Sequence, residues 1–201
     1  MDTHLITGLI LAGGSGSRMD NLDKGLQVLR GVPLVTQVMR RLQPQVGNLM
    51  ISANRNLTSY ESLGLAVWPD QLNGFAGPLA GLQTGLSHCT TPYLISVPCD
   101  SPFLPLDLVL RLFTSLTEQG AELAVAATGI ETKQDLHPVF CLMKNTLLEN
   151  LTTFLESGQR KVSVWHRSLN MVQVHFEDEA AFHNLNTLAE LRRLELPDNW
   201  L

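Results

Sequence analysis

The sequence predicts an α/β fold built on a wound, predominantly parallel sheet that becomes mixed in its later section. Three observations carry that expectation. Leu5 to Leu11 is an almost wholly apolar, β-rich run of the kind buried on both faces of a parallel sheet. Strand-like and helix-like stretches then alternate through the first half of the chain. Directly after the first run comes Leu11-Ala12-Gly13-Gly14-Ser15-Gly16-Ser17-Arg18-Met19, followed by Asp23-Lys24-Gly25. Small residues and cations at the exit of a parallel strand stand where open sheets present a ligand crevice.

The elements follow in order. Gln27 to Pro33 reads as a hairpin leading into a helix from Leu34 to Leu42, whose Val35, Val38, Met39 and Leu42 repeat at helical spacing as core residues. Asn48 to Ala53 is the next strand and Leu65 to Trp68 a short third one, followed by Pro69-Asp70 and a loop-like stretch to Pro78. A helix starts near Pro78, because proline suits the first turn and Leu79, Leu82 and Leu86 supply a packed face. Tyr93 to Val97 is a fourth strand ending at Pro98-Cys99-Asp100-Ser101-Pro102, and Pro105 to Leu116 a helix. Leu123 to Ala127 and Val139 to Met143 are strands, with Glu131 to His137 as a polar edge between them. Leu147, Leu148 and Leu151, then Val162, Val164 and Trp165, form apolar arrays. Val172 to His175 comes next, and Thr187 to Leu196 is a terminal helix stopped by Pro197. No repeat, low-complexity tail or linker is visible, so residues 1–201 are expected to form a single domain.

Composition narrows the function. With 44% hydrophobic and 16% charged residues the chain is globular, and 201 residues suffice for a substantial core. A net charge of -5 argues against broad nucleic-acid binding, which needs a basic footprint. Residues 1–100 hold six cations and six acids, so an anionic ligand has to be held by a local cluster rather than by the average charge. Cys89, Cys99 and Cys141 lack the spacing of a zinc site or a disulfide framework. The polar Met1-Asp2-Thr3-His4 start and the short apolar run after it read as neither a signal peptide nor a membrane span, so a cytoplasmic protein is expected.

The glycine loop points to phosphate. Gly13, Gly14 and Gly16 permit unusual backbone angles and remove side chains that would keep a phosphate from the amide N–H groups. Arg18 offers a planar fork to two phosphate oxygens, and Lys24 a compact charge for an oxygen whose negative charge grows during transfer. Ser15 and Ser17 can add hydroxyl donors or cap local backbone. The spacing fits neither a Walker loop nor the dinucleotide fingerprint. Asp100, at a strand exit, suits Mg²⁺ as a hard oxygen ligand, or else caps the turn at Ser101-Pro102. Asp70 can accept from a ribose hydroxyl or from guanine N–H groups, or serve as a structural cap, and Ser52 can add a smaller polar contact. His137, Asn184 and Asn186 are further candidate ligand contacts. Asn186 can alternatively cap the last helix.

These motifs together resemble the bacterial molybdenum cofactor guanylyltransferases. The resemblance runs through LAGGSGSRM and DKG at 11–25, SANR at 52–55, WPD at 68–70, GPLAG at 77–81, PCDSP at 98–102, HPV at 137–139 and NLNT at 184–187. It implies a three-layer, Rossmann-like nucleotidyltransferase fold, with residues 1–100 supplying most GTP-site motifs and later residues part of a pterin-site wall. It further implies transfer of GMP from GTP to molybdopterin carrying molybdenum, with Mg²⁺ as cofactor and pyrophosphate as leaving group. By the same resemblance Leu11, Ala12, Gly13, Lys24, Ser52, Asp70 and Asp100 match GTP-contacting positions, Asp100 also matches the Mg²⁺ ligand, and Arg18 matches a phosphate-loop cation. Two positions depart from the family pattern: Ser52 stands where Asn is common, and Asp20 where Gly is common.

The catalytic set expected from this resemblance is Arg18, Lys24 and Asp100, with Gly14 and Ser15 joining the ligand contacts. A monomer is expected, with transient contacts to molybdenum-cofactor biosynthesis and acceptor proteins. The alternatives are a cytidylyltransferase for a related cofactor, a sugar-phosphate nucleotidyltransferase, or a noncatalytic GTP- or pterin-binding delivery module.

Overall fold

A computed structural model describes residues 1–13, 22–72, 77–130 and 133–195 of the chain. Strand β1 (Ile6–Leu11) leads to a two-stranded ribbon, β2 (Val28–Leu29) and β3 (Val32–Pro33), and to helix α1 (Leu34–Leu42). Then come β4 (Asn48–Ser52), α2 (Leu57–Glu61), β5 (Ala66–Trp68), α3 (Pro78–His88), β6 (Tyr93–Pro98) and α4 (Leu108–Glu118). The later section holds β7 (Leu123–Ile130), β8 (Lys133–Lys144), α5 (Leu148–Glu156), α6 (Val162–Arg167), β9 (Met171–His175) and α7 (Leu188–Glu195).

Seven strands form one sheet in the order β5-β4-β1-β6-β8-β7-β9. The β5–β4, β4–β1, β1–β6 and β7–β9 pairs are parallel, whereas β8 runs antiparallel to both β6 and β7. The expected wound, mainly parallel sheet with a mixed later section is therefore observed. Side chains of β1 alternate between two cores, as the period of a strand requires. Ile6 and Ile10 pack with Val35, Val38 and Leu42 of α1 and with Leu108, Leu112 and Leu116 of α4. Leu9 faces the opposite layer, with Leu79, Leu82 and Leu86 of α3, Leu151 and Leu155 of α5, and Trp165 of α6.

Two glycines one turn apart let helix α3 pack directly against the side chains of the sheet. A Cβ at Gly85 would stand 2.4 Å from Leu9 Cδ2, and one at Gly81 would stand 2.5 Å from Leu11 Cδ2 and 3.1 Å from Ser52 Oγ. The GPLAG motif thus brings the start of a helix down onto the exits of β1 and β4.

One expectation changes, and two helices appear where the sequence reading assigned no element. The polar stretch read as an edge between strands is, from Lys133 onward, the first part of β8. Its backbone pairs with β7 from Ile130↔Lys133 to Ala126↔His137, so ladder hydrogen bonds override side-chain polarity. The register shifts between Val125 and Ala126, whose partners are Cys141 and His137. Pro138, which has no N–H to give the ladder, falls inside that irregularity. Helix α2 has no periodic signature in the sequence, since only Tyr60 of its five residues is buried. The array at Val162, Val164 and Trp165 is helical. Pro197, expected as the final stop, lies outside the described residues. No helix among the described residues is long and apolar enough to cross a membrane.

Candidate active site

The parallel strands deliver their C-terminal ends at one level. Leu11 is opposite both Ser52 and Pro98, and Ser52 is opposite Trp68. Backbone bonds continue this alignment past the strands: Ala12 N–H donates to Ser52 O at 2.7 Å, Ala53 N–H to Trp68 O at 3.0 Å, and Cys99 N–H to Leu11 O at 3.1 Å. Asn54, Asp70 and Asp100 each lie two residues beyond one of these strand ends, along the crevice that open parallel sheets offer to ligands.

On the β4–β5 side the Asp70 carboxylate is held by neutral donors. Ser52 Oγ donates to Oδ1 at 3.0 Å and Asn54 Nδ2 to Oδ2 at 2.8 Å. The Asp70 N–H donates to Asn54 Oδ1 at 2.8 Å, so Asn54 grips both the main chain and the side chain of Asp70. Gly13 closes this group: a Cβ there would stand 2.9 Å from Asn54 Nδ2 and 3.6 Å from Asp70 Oδ2. A side chain at Gly13 would therefore have to displace the Asn54 amide from its grip on Asp70.

On the β6 side the carboxylate is held by a cation. Lys24 Nζ donates to Asp100 Oδ2 at 3.2 Å and to Asn186 Oδ1 at 2.5 Å. Asp100 is 5% exposed, and this burial raises its pKa above the ordinary carboxylate value, while Lys24 pulls in the opposite direction. The C-terminal segment is pinned here as well. Leu185 N–H donates to Asp100 O at 2.8 Å, and Ser101 Oγ donates to Asn184 Oδ1 at 2.8 Å. Glu190 Oε2 accepts from the N–H groups of Asn186 and Thr187, while Glu190 N–H donates to Thr187 Oγ1 at 3.1 Å. That reciprocal arrangement is a capping box, so Thr187 caps α7 and the Asn186 side chain is left to reach Lys24.

The remaining candidates are placed as follows. Leu11 packs its side chain toward α3, and Ala12 is buried at the β1 exit. His137 belongs to a different cluster: its Nε2 is 2.8 Å from Thr128 Oγ1, its ring stacks on Phe182 at 4.6 Å, and Phe140 meets it edge-on. Burial lowers the pKa of that imidazole and favours the neutral form. Gly14, Ser15 and Arg18, with Gly16, Ser17 and Asp20, lie outside the described residues.

Comparison with known proteins decides the family. A model of the MobA-like NTP transferase domain matches residues 8–172. The molybdenum cofactor guanylyltransferase of Bordetella petrii is 56% identical over 194 residues, covering 96% of this chain and 99% of that protein. The enzyme of the same name from Acidovorax ebreus is 52% identical over 205 residues, covering 97% of each chain. This chain belongs to the molybdenum cofactor guanylyltransferase family. The fold agrees with solved structures at lower identity. The molybdopterin-guanine dinucleotide biosynthesis protein A of Archaeoglobus fulgidus superposes with a TM-score of 0.74 at 22% identity, covering 94% of this chain and 96% of that one. A 4-diphosphocytidyl-2C-methyl-D-erythritol synthase from Anaerococcus prevotii superposes with a TM-score of 0.75 at 12% identity, covering 96% and 98%.

Within this guanylyltransferase scaffold the geometry adds residues that motif reading passed over. Asn54 is part of SANR, yet its double grip on Asp70 shows only once β4 and β5 are paired. Asp23, in DKG, accepts from Tyr60 Oη at 2.5 Å, from Asn56 Nδ2 at 3.0 Å and from Gly25 N–H at 3.2 Å. An acid immediately before Lys24 was the available signal, but Tyr60 and Asn56 lie on a segment with no pattern of its own.

Proposed function

We propose that this chain transfers GMP from GTP to molybdenum-bearing molybdopterin, forming the guanine dinucleotide cofactor and pyrophosphate. The observation that carries the reading is the Lys24 ammonium held between Asp100 and Asn186 at the strand exits, in a chain of this family. A phosphate oxygen of molybdopterin attacks the α-phosphorus of GTP, and the bond from that phosphorus to the oxygen bridging the β-phosphate breaks in line. The attacking phosphate is already ionised, so the step needs no protein base. Lys24 stabilises charge developing around the α-phosphate, and the glycine loop with Gly13, Gly14, Ser15 and Arg18 orients the phosphates that leave.

Asp70 reads the nucleoside. Among the described residues each of its oxygens accepts one hydrogen bond, which leaves lone pairs to take a ribose hydroxyl or guanine N–H. Asn184 and Asn186 complete the wall beside Lys24.

Mg²⁺ fits the donor set in one particular way. Among the described residues no three His, Cys, Asp or Glu side chains are grouped to hold a metal. Mg²⁺ commonly uses one or two carboxylates, with substrate phosphates and waters as its other ligands, and Asp100 supplies one such carboxylate. When bound there the ion would neutralise phosphate oxygens as a Lewis acid. The reading extends to a cytoplasmic monomer that meets cofactor-biosynthesis and acceptor proteins transiently.

The test is a donor comparison with purified protein, Mg²⁺ and molybdenum-bearing molybdopterin. Pyrophosphate release and a new GMP-to-pterin phosphoanhydride are expected with GTP. Product with CTP but not GTP, or none with either, overturns the reading.

A further inference from the structure

Lys24 sits on a short segment between the ribbon strand β2 and residues outside the described set, and something has to hold it there. Its neighbour Asp23 is tied down on both oxygens: Oδ1 accepts from Tyr60 Oη and Gly25 N–H, and Oδ2 accepts from Asn56 Nδ2. The Asp23 carbonyl accepts from Gln27 Nε2 at 2.9 Å, and the Gly25 carbonyl from Val35 N–H at 2.9 Å. Gly25 itself is wedged, since a Cβ there would stand 2.6 Å from Tyr60 Oη and 3.2 Å from Cys99 Cβ and Sγ. Cys99 adjoins Asp100, so one side chain, Tyr60, lies against the segment that carries the cation and near the strand exit that carries its partner.

We propose that Tyr60 and Asn56, acting through the Asp23 carboxylate, are positioning residues that set the Lys24 ammonium onto Asp100 and Asn186. The reading rests on the proposed role of Lys24 in GMP transfer. Tyr60 is fully buried, yet its hydroxyl meets a carboxylate on a surface-directed turn, an expensive polar placement that packing alone does not require. Burial, followed by the nearby Cys99 and Asp23, pushes the Tyr60 pKa far above its ordinary value, so the hydroxyl stays protonated and donates. Asn56 reaches Asp23 from a left-handed backbone conformation, φ 51°, which Asn tolerates better than most residues and which directs the chain into α2. Helix α2 is short and largely exposed, but it is the element that brings both donors to Asp23.

Two readouts test the proposal, and the first needs no catalysis. Lys24 in the nucleotide-free protein is labelled with a limiting amine-reactive acetylating reagent and quantified by mass spectrometry against Lys133, Lys144 and Lys161. Tyr60→Phe keeps the ring packing and removes only the hydroxyl, and Asn56→Gly keeps the left-handed backbone and removes only the amide. Both variants should acetylate Lys24 several-fold faster than wild type, with the other lysines unchanged. Equal Lys24 labelling in wild type and both variants overturns the proposal, and Asn56→Gly answers the question even should Tyr60→Phe fold poorly. The second readout is kinetic: Tyr60→Phe should lower kcat about tenfold, with the KM for GTP nearly unchanged, and should have no further effect in a Lys24→Ala background. A full additive loss in that background means that Tyr60 acts independently of Lys24 and rejects the proposal. Absence of GMP transfer by wild type counts against the proposed function, whereas the labelling ratio still judges the positioning role.

Discussion

The two carboxylates of the crevice are held in opposite ways. Asp70, partly exposed, is fixed by a hydroxyl and an amide that carry no charge, from residues 18 and 16 positions away. Asp100, nearly buried, is fixed by an ammonium 76 positions away, which is itself steadied by an amide a further 162 positions along the chain from the lysine. A carboxylate locked by neutral donors is held in place before a ligand arrives, which suits recognition. A part-buried ion pair can respond to an arriving phosphate, because Lys24 can exchange one anionic partner for another. In the proposed function this contrast corresponds to nucleoside binding on the β4–β5 side and transfer chemistry on the β6 side.

The most severe way to break that division is to remove the cation. Lys24→Ala should lower kcat by about two orders of magnitude or more, the scale seen when a preorganised donor to a developing oxyanion is lost. Asp100→Asn should act in the same direction and lose its Mg²⁺ dependence, measured as initial rate against Mg²⁺ concentration. A variant with wild-type turnover at limiting Mg²⁺ would remove Asp100 from the transfer side.

Acid separates failure of the site from failure of the fold. Burial depresses the pKa of His166, 3% exposed, to about 4, against an ordinary value of 6.5, and its Nε2 has no hydrogen-bond partner among the described residues. The folded protein therefore binds this proton less readily than the unfolded chain. The contribution to stability is complete above pH 6.5 and is lost as pH falls toward 4, by about 3 kcal/mol. Denaturant melts from pH 7 to 4 should show that decline in wild type and a flatter one in His166→Gln. Identical slopes would show that His166 is not the source.

Smaller effects sharpen the recognition side. Asn54→Ala removes both contacts to Asp70 and should raise the KM for GTP about tenfold while kcat changes little. Thr187→Ala opens the capping box that steers Asn186 and should cost about 1 kcal/mol of stability, measured by thermal melting, with a minor loss of kcat. A larger change in KM than in kcat there would move Asn186 to the nucleoside side.

Much of this architecture was legible in the residues, and the reasons differ from element to element. Strand β1 announces itself because both faces are buried, and α1 because four apolar positions share one helical face. Pro78 and the small residues after it give away the start of α3, although their closeness to Leu11 and Ser52 needed the packed helix. The first half of β8 was not legible, since its side chains are polar and only backbone pairing makes it a strand. Helix α2 was missed for a related reason: one buried tyrosine sets no period. In the site, Lys24, Asp70 and Asp100 stood out as charges at predicted strand exits. What holds them did not, because Asn54 and Tyr60 act through a few hydrogen bonds to segments distant in sequence, whose proximity is a property of the fold.

The central claim, that the crevice divides into a recognition side and a transfer side, is tested most directly by steady-state kinetics of Asn54→Ala and Lys24→Ala measured side by side with GTP as the varied substrate. Asn54→Ala is expected to show a raised KM with nearly wild-type kcat, and Lys24→Ala a collapsed kcat with nearly wild-type KM. The reverse assignment, or the same kinetic change in both variants, would contradict it.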